Sequence, residues 1–240
     1  MSIKKITPFY FFLLLSLGLI LLFICDILWG SVRIPFAEVI NVMKGGSASE
    51  DVWTKIITDI RLPKAITACL VGAGLSVCGL QMQTLFRNAL AGPYVLGVSS
   101  GASLGVAMVM LITPGSLFIM NGMGISLLGK FGIVAAACAG AGIVLTMILF
   151  LSRSIRNNIT ILIIGLMFAH LTGAVEGILQ YFSNSDNLKG FIIWGLGNFS
   201  NVLWNEIAIM TPVIIIGILI SFAVSKSLNV MLLGENYAQT

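Results

Sequence analysis

The residues with the clearest chemical potential lie on one face of a strongly apolar segment. Thr172, Gly173, Glu176, Gly177 and Gln180 are related by three- and four-residue spacings, which puts them on one stripe of a helix. A carboxylate in such surroundings is costly unless it faces water, a partner or a transported group. The stripe therefore either lines a translocation pathway, with Thr172, Glu176 and Gln180 as its polar groups, or forms a structural hydrogen-bonding face.

Residues for metal or nucleotide chemistry do not come together in the sequence. Cys25, Cys69, Cys78 and Cys138 all lie in apolar runs without a Cys-x-x-Cys pair, and the lone histidine is His170. This pattern predicts no metal site and favours packing roles for the cysteines, and a packed, hydrogen-bonded role for the histidine. The phosphate-binding pattern GxxxxGK[ST] does not occur, so we expect no P-loop binding of ATP by this chain.

Composition identifies the environment of these residues. Of the 240 residues, 58% are hydrophobic and 9% are charged, whereas soluble proteins carry about 25% charged residues. The 13 Lys and Arg and 9 Asp and Glu residues are too few to cover a water-facing surface, which predicts an integral membrane protein in contact with the lipid bilayer. The basic residues are scattered and not interleaved with aromatic residues, so no nucleic-acid partner is expected.

Charge-free intervals predict six membrane helices. A helix needs about 20 apolar residues to cross the hydrocarbon core of a bilayer. The predicted spans are about 6–28, 62–85, 93–112, 129–151, 159–182 and 205–225, followed by a loop from 226. We therefore expect an all-α polytopic helix bundle that forms a single transmembrane domain over residues 1–240.

Two segments between the spans are predicted to lie at the membrane surface. Val52, Ile56 and Ile60 repeat every four residues, which is typical of an amphipathic surface helix, and Pro63 suits the first turn of span two. The other segment runs from residue 186 to 204 and carries tryptophans, which favour the boundary between membrane and water.

The glycines of span three indicate close helix packing. Gly97, Gly101 and Gly105 recur every four residues, and such a row of small residues lets a neighbouring helix backbone approach closely. A lining role is the alternative, but we expect helix contact here.

Five motifs in order give the sequence a family resemblance. They are Arg61-Leu-Pro-Lys64, Val71-Gly-Ala-Gly-Leu-Ser76, the run Gln83 to Pro93 followed by Leu96-Gly97 and Gly101-Ala102, Trp194-Gly-Leu-Gly197 with Trp204, and Leu228-Asn229 leading to Leu233-Gly-Glu235 and Ala238. Together they closely resemble the FecCD-type permeases of ATP-binding-cassette (ABC) importers for ferric siderophores, haem and vitamin B12.

The resemblance implies a non-catalytic permease subunit. Such a subunit moves an iron-siderophore, haem or corrinoid chelate into the cytoplasm, in the plasma (inner) membrane, together with cytoplasmic ABC ATPase subunits, an extracytoplasmic substrate-binding protein and a second permease subunit, identical or paralogous. It binds no cofactor itself and uses ATP through the ATPase. The distribution of Lys and Arg alone does not orient the spans, but the resemblance implies a cytoplasmic N-terminus.

The resemblance also assigns roles to basic and turn residues. Arg61 and Lys64 correspond to a basic pair that docks acidic residues of the binding protein, although simple snorkelling to the interface is the alternative for such residues. Asn88 and Leu90 correspond to the inner, cytoplasmic gate. The usual Asn-Pro-Leu of the family reads Asn-Ala-Leu here, with Ala89 at the second position, and a more flexible turn is expected.

The last residues resemble the coupling loop to the ATPase. Gly234 and Glu235 correspond to its start, and family members continue beyond it with about four more spans. We therefore expect an incomplete permease. A proton-coupled secondary transporter using Glu176 is the alternative, but the inverted repeat typical of that class is not evident. A purely structural membrane subunit would leave the gate and coupling motifs unexplained.

Overall fold

The computed structural model of the chain describes residues 8–112, 120–121, 124–125, 127–155 and 157–233. Its helices are α1 (Pro8–Leu28), α2 (Phe36–Met43), α3 (Asp51–Lys55), α4 (Leu62–Phe86), α5 (Val98–Ile112), α6 (Leu127–Ser152), α7 (Asn158–Tyr181), α8 (Ser185–Gly195) and α9 (Trp204–Leu233). A π-helical turn (Ile56–Arg61) joins α3 to α4, and a 3-10 turn (Pro93–Leu96) precedes α5. Two short strands, β1 (Met120–Asn121) and β2 (Gly124–Ile125), pair antiparallel.

The predicted all-α membrane fold is confirmed. Within the described residues, five helical segments are long and apolar enough to cross a membrane, and α5 is a shorter apolar helix at the position of predicted span three. That helix begins at Val98, not at residue 93, because Gly97 adopts a left-handed backbone conformation with φ of 73°. The carbonyl oxygen of Gly97 then accepts the first hydrogen bond of α5, from the amide of Gly101 at 2.9 Å.

The surface helix predicted around residues 52–60 is wrong in its register and its ends. Residues 51–86 form one helical segment with the π-helical turn inside it. Ile57 is fully buried, while Val52 and Ile60 are exposed. A π-helical turn holds more residues than an α-helical one, so a four-residue repeat does not mark the buried face here. The helix α2 in the preceding loop was not predicted.

The described residues form two compact groups. The first contains α1, α2, α3, the π-helical turn and the adjoining parts of α4 and α9. Its apolar core consists of Ile27, Ile34, Val39, Val42, Ala48, Ile57 and Ala65. The indole nitrogen of Trp204 donates a 3.1 Å hydrogen bond to the carbonyl oxygen of Thr58, which ties the start of α9 to the π-helical turn.

The second group is built on α5. A β-carbon added at Gly101 would lie 2.7 Å from the carbonyl oxygen of Gly140 on α6. A β-carbon added at Gly105 would likewise clash with the carbonyl oxygen of Ala136. These contacts run in opposite chain directions, so α5 and α6 are antiparallel and touch backbone to backbone. The predicted packing role of the span-three glycines is confirmed. A core of Val106, Ala107, Leu111, Ile133 and Phe191 continues this contact to α8.

The last described helix is longer than predicted. Residues 226–233, predicted to begin a loop, continue α9 to Leu233, because no glycine or proline interrupts them before Gly234. The predicted coupling residues Gly234 and Glu235 lie outside the described residues. The segment predicted to lie at the surface between spans five and six contains the short helix α8.

Candidate functional site

Arg61 caps the end of α1. Its side chain is 5% exposed, and its guanidinium donates to the carbonyl oxygens of Ile27 at 2.7 Å and Leu28 at 2.9 Å, and also to that of Val32. The last carbonyls of a helix have no partner within the helix and carry partial negative charge. Arg61 therefore satisfies the end of α1 and fixes the chain that leaves it.

The cap depends on a glycine that the sequence pattern did not single out. A β-carbon at Gly30 would lie 2.8 Å from Nη2 of Arg61 and 3.0 Å from its Cζ. The guanidinium thus lies directly against the backbone of Gly30, and a side chain at this position would require it to shift.

Lys64 is held differently from Arg61. Its Nζ lies 2.7 Å from Oδ1 of Asp26, and the two side chains are 39% and 34% exposed. Both predicted docking residues thus reach the C-terminal end of α1, but Arg61 is buried and Lys64 is partly accessible. Docking by this pair stays a prediction, and the geometry favours Lys64 as the residue that a partner can touch.

The turn predicted as a gate is well ordered by its own hydrogen bonds. The amides of Arg87 and Asn88 donate to the carbonyls of Thr84 and Gln83, and Arg87 has a left-handed φ of 48°; this pattern is a Schellman cap. Oδ1 of Asn88 accepts from the amide of Leu90 at 2.9 Å.

A further hydrogen bond closes the turn without the family's proline. The carbonyl oxygen of Asn88 accepts from the amide of Ala91 at 3.0 Å. Asn88 and Ala91 are thus the first and fourth residues of a hydrogen-bonded turn with Ala89 at its second position, and these bonds limit the expected flexibility. The side chain of Leu90 is 82% exposed. The gate role of Asn88 and Leu90 stays a prediction.

Restoring the proline should be tolerated. Ala89 occupies the second position of the turn, which favours proline, and we expect Ala89→Pro to stabilise the folded chain by about 0.4–1 kcal/mol by restricting the unfolded chain. Equilibrium unfolding of the purified protein in lipid nanodiscs measures the change. A loss of stability would show that this backbone does not have the turn geometry that proline requires.

A polar cleft lies between α5 and α7. Its volume is about 220 Å³, and its lining consists of Ser99, Ser100, Ser103, Ala169, Gly173 and Glu176. The hydroxyl of Ser103 donates a hydrogen bond to the carboxylate of Glu176. Gly97, just before α5, packs on Gly165 of α7, while Ser103 and Glu176 lie further along their helices, so the two helices run parallel. The cleft is a group of hydroxyls around one carboxylate, suited to a hydrogen-bond donor or a cation.

Only part of the predicted polar stripe of α7 faces this cleft. Gly173 and Glu176 line it, but Thr172 is 6% exposed and its hydroxyl donates to the carbonyls of Phe168 and Ala169, each at 3.0 Å. Gln180 is not among the lining residues. The pathway role of the three residues stays a prediction, which this geometry supports for Glu176.

The serines of α5 were missed by the sequence reasoning. Ser99 and Ser103 are four residues apart and therefore share one face of α5, while the glycines that pack on α6 occupy another. The sequence signal that could have revealed them is a row of hydroxyl side chains on one face of a helix whose other face carries the packing glycines.

Residues considered for metal chemistry remain apart. Within the part of the chain that the structure describes, no three His, Cys, Asp or Glu side chains come together as metal ligands. His170 is exposed, which corrects the expectation that it is packed.

Comparisons with known proteins agree with the motifs. The FecCD transport family matches residues 18–240. The hemin transport system permease protein HmuU of Yersinia pestis is 30% identical over 225 residues, which are 93% of this chain and 65% of that protein. The vitamin B12 import system permease protein BtuC of Serratia proteamaculans is 34% identical over 231 residues, which are 95% of this chain and 62% of that protein.

A solved structure has the same fold. It is an inward-facing conformation of a metal-chelate type ABC transporter, with a TM-score of 0.75 and 24% identity, and the match covers 94% of this chain and 65% of that one. The chain spans about three-fifths of the length of the curated relatives it matches. A family match over residues 18–240, which are nearly the whole chain, shows that this multi-pass membrane chain belongs to the FecCD transport family.

Proposed function

We propose that this chain is the permease part of an ABC importer that carries a metal chelate across the membrane into the cytoplasm. The observation that carries the proposal is the family match over residues 18–240. The relatives named above are permeases for hemin and for vitamin B12, so haem and corrinoids are proposed cargo classes. A further relative, of Helicobacter pylori, is named as a probable iron chelatin permease, which adds iron-siderophores.

The proposal includes the partners of such an importer. ATP is hydrolysed by separate cytoplasmic ATPase subunits, a binding protein delivers the chelate from outside, and a second permease subunit completes the pathway. The N-terminus of α1 is cytoplasmic, which places the Arg61 cap outside and the turn around Asn88 inside. Gly234 and Glu235 transmit the motion of the ATPase.

Complex formation tests the proposal. The permease is co-expressed with the ATPase of its own system, purified by a tag on the permease, and assayed for ATP hydrolysis in nanodiscs with and without the binding protein. We expect the ATPase to copurify and its turnover to rise when the loaded binding protein is added. A permease that purifies folded but without the ATPase would contradict the proposal.

The cleft between α5 and α7 is proposed to be part of the translocation pathway. Its position between two parallel helices puts Glu176 beside three hydroxyls, a set of groups that a moving chelate could contact in turn. The same acid is the observation that favours the second candidate, a proton-coupled transporter.

Substitution of Glu176 should reduce transport. A hydrogen bond to a charged group contributes about 1.5–3 kcal/mol, so losing such a contact with the cargo corresponds to a fall of about tenfold or more in uptake. We expect this fall for Glu176→Ala and, because the charge is lost, also for Glu176→Gln. Uptake of labelled chelate per folded permease in cells is the measurement.

An exposed apolar residue on the same helix provides the control. Leu171 is exposed on α7 and does not line the cleft, so Leu171→Ala should transport at the normal rate. Normal uptake by both Glu176 variants, at normal expression, would show that the acid is only a structural hydrogen-bonding group.

A further inference from the structure

The two cations at the end of α1, Arg61 and Lys64, differ in their accessibility and in how many of their hydrogen-bond donors are available to a partner. The guanidinium of Arg61 is buried and bonded to three backbone carbonyls. The ammonium of Lys64 has three donors, and its bond within the described residues is the one to Asp26 at 2.7 Å. Lys64 is therefore partly exposed and can donate further hydrogen bonds to a partner. Arg61 is buried and its guanidinium is already bonded within the chain.

Asp26 is the acidic partner of Lys64 in this ion pair. It lies in the last turn of α1, on the helix whose final carbonyls Arg61 holds. The cap fixes the direction of that end of α1 relative to the start of α4, and this keeps the carboxylate of Asp26 next to Lys64. A negative charge so placed offsets the positive charge that an acidic partner would meet.

We propose that Asp26 is an internal competitor for the docking site: it holds Lys64 in the free permease, and a carboxylate of the binding protein replaces it when the binding protein docks. The proposal rests on the proposed docking role of Lys64. It adds a residue on α1 to the docking surface and assigns Arg61 a positioning role, since the cap keeps Asp26 and Lys64 together. The partner is an acidic protein surface, because a carboxylate of that surface is the same kind of acceptor as Asp26 and pairs with the partly exposed ammonium of Lys64 by charge.

The exposure of the pair makes the exchange feasible. Ion pairs between partly exposed side chains are weak, and their removal changes equilibria by about two- to fivefold. A competitor of this strength lowers the affinity for a partner without preventing docking, and its loss leaves the fold intact.

Binding of the purified substrate-binding protein from the same transport system tests the proposal. The permease complex is immobilised in nanodiscs, and affinity is measured at low and at physiological salt for the wild type, Asp26→Asn, Lys64→Gln and the double variant. Glu50→Gln is the matched control, because Glu50 is an exposed acid of the same group of helices and its replacement changes the net charge equally.

We expect Asp26→Asn to bind about two- to fivefold more tightly, with the larger gain at low salt, and Glu50→Gln to bind like the wild type. The gain should vanish when Lys64→Gln is already present, a coupling that a merely structural effect of Asp26 would not produce. If Lys64→Gln weakens docking but Asp26→Asn binds no more tightly than the wild type, the proposed competition by Asp26 is overturned. Unchanged binding of Lys64→Gln would instead overturn the docking role itself.

Discussion

Replacing Arg61 by methionine is expected to destabilise the folded chain by about 1–3 kcal/mol, because removing the buried donor leaves backbone carbonyl acceptors without a hydrogen bond. Methionine fills a similar volume with an unbranched apolar side chain, so the loss reports on the hydrogen bonds and not on a cavity. The acceptors left behind are the carbonyls of Ile27, Leu28 and Val32. Arg61→Lys should recover only part of the loss, since an ammonium lacks the planar fork that reaches several acceptors.

Equilibrium unfolding in lipid nanodiscs measures the change, with Lys64→Met as the control. The pair of Lys64 and Asp26 is partly exposed, so its loss should cost less than about 1 kcal/mol. Gly30→Ala should destabilise less than the Arg61 variant, because the added carbon would lie 2.8 Å from Nη2 of Arg61 and a flexible side chain can shift to relieve the contact. Equal stability of the Arg61 and Lys64 variants would contradict the assignment of the cap.

Replacing Gly140 by valine is expected to prevent α5 and α6 from packing. The added carbons would overlap the backbone of Gly101, and neither backbone has a side chain that could turn away. Overpacking of a well-packed site costs about 1–3 kcal/mol and sometimes more, and a contact between two backbones should fall at or above the upper end of that range. We expect little folded protein and no transport, since α5 also carries the serines of the cleft.

Size-exclusion chromatography of a fluorescent fusion measures the folded fraction. Gly142→Val is the matched control, because Gly142 lies on the same helix and a β-carbon there has no atom within 4 Å. We expect the control to fold normally. Normal folding of the Gly140 variant as well would contradict the close contact of α5 and α6.

The sequence predicted the membrane helices well because their signal is local. A span is a run of apolar residues with few charges, and each such run in this chain lies on a described helix. The row of glycines on α5 was also informative, since small residues every four positions have a direct consequence for how closely two helices pack.

Other features depend on residues far apart in the chain. Arg61 and the carbonyl of Ile27 are 34 positions apart, and no local pattern shows that a basic residue near a span caps another helix. The π-helical turn was missed for a different, local reason: its extra residue shifts the face that Val52, Ile56 and Ile60 would share in an α-helix.

The polar cleft contains one residue that a local signal revealed and one that depends on a contact between distant segments. Glu176 was found because an acid in an apolar run is costly and therefore noticeable. Ser103 was missed because serine is compatible with a tightly packed helix, and only the parallel contact of α5 and α7 places it beside the acid.

The claim that ATP hydrolysis drives uptake is tested most directly by measuring which source of energy transport requires. The permease, with its ATPase and binding protein, is reconstituted into proteoliposomes, and uptake of labelled chelate is followed with ATP present or absent on the ATPase side, with and without an ionophore that collapses the proton gradient. The proposed importer requires ATP and is unaffected by the ionophore. Uptake that proceeds without ATP and stops when the proton gradient is collapsed would contradict the account and identify a proton-coupled transporter.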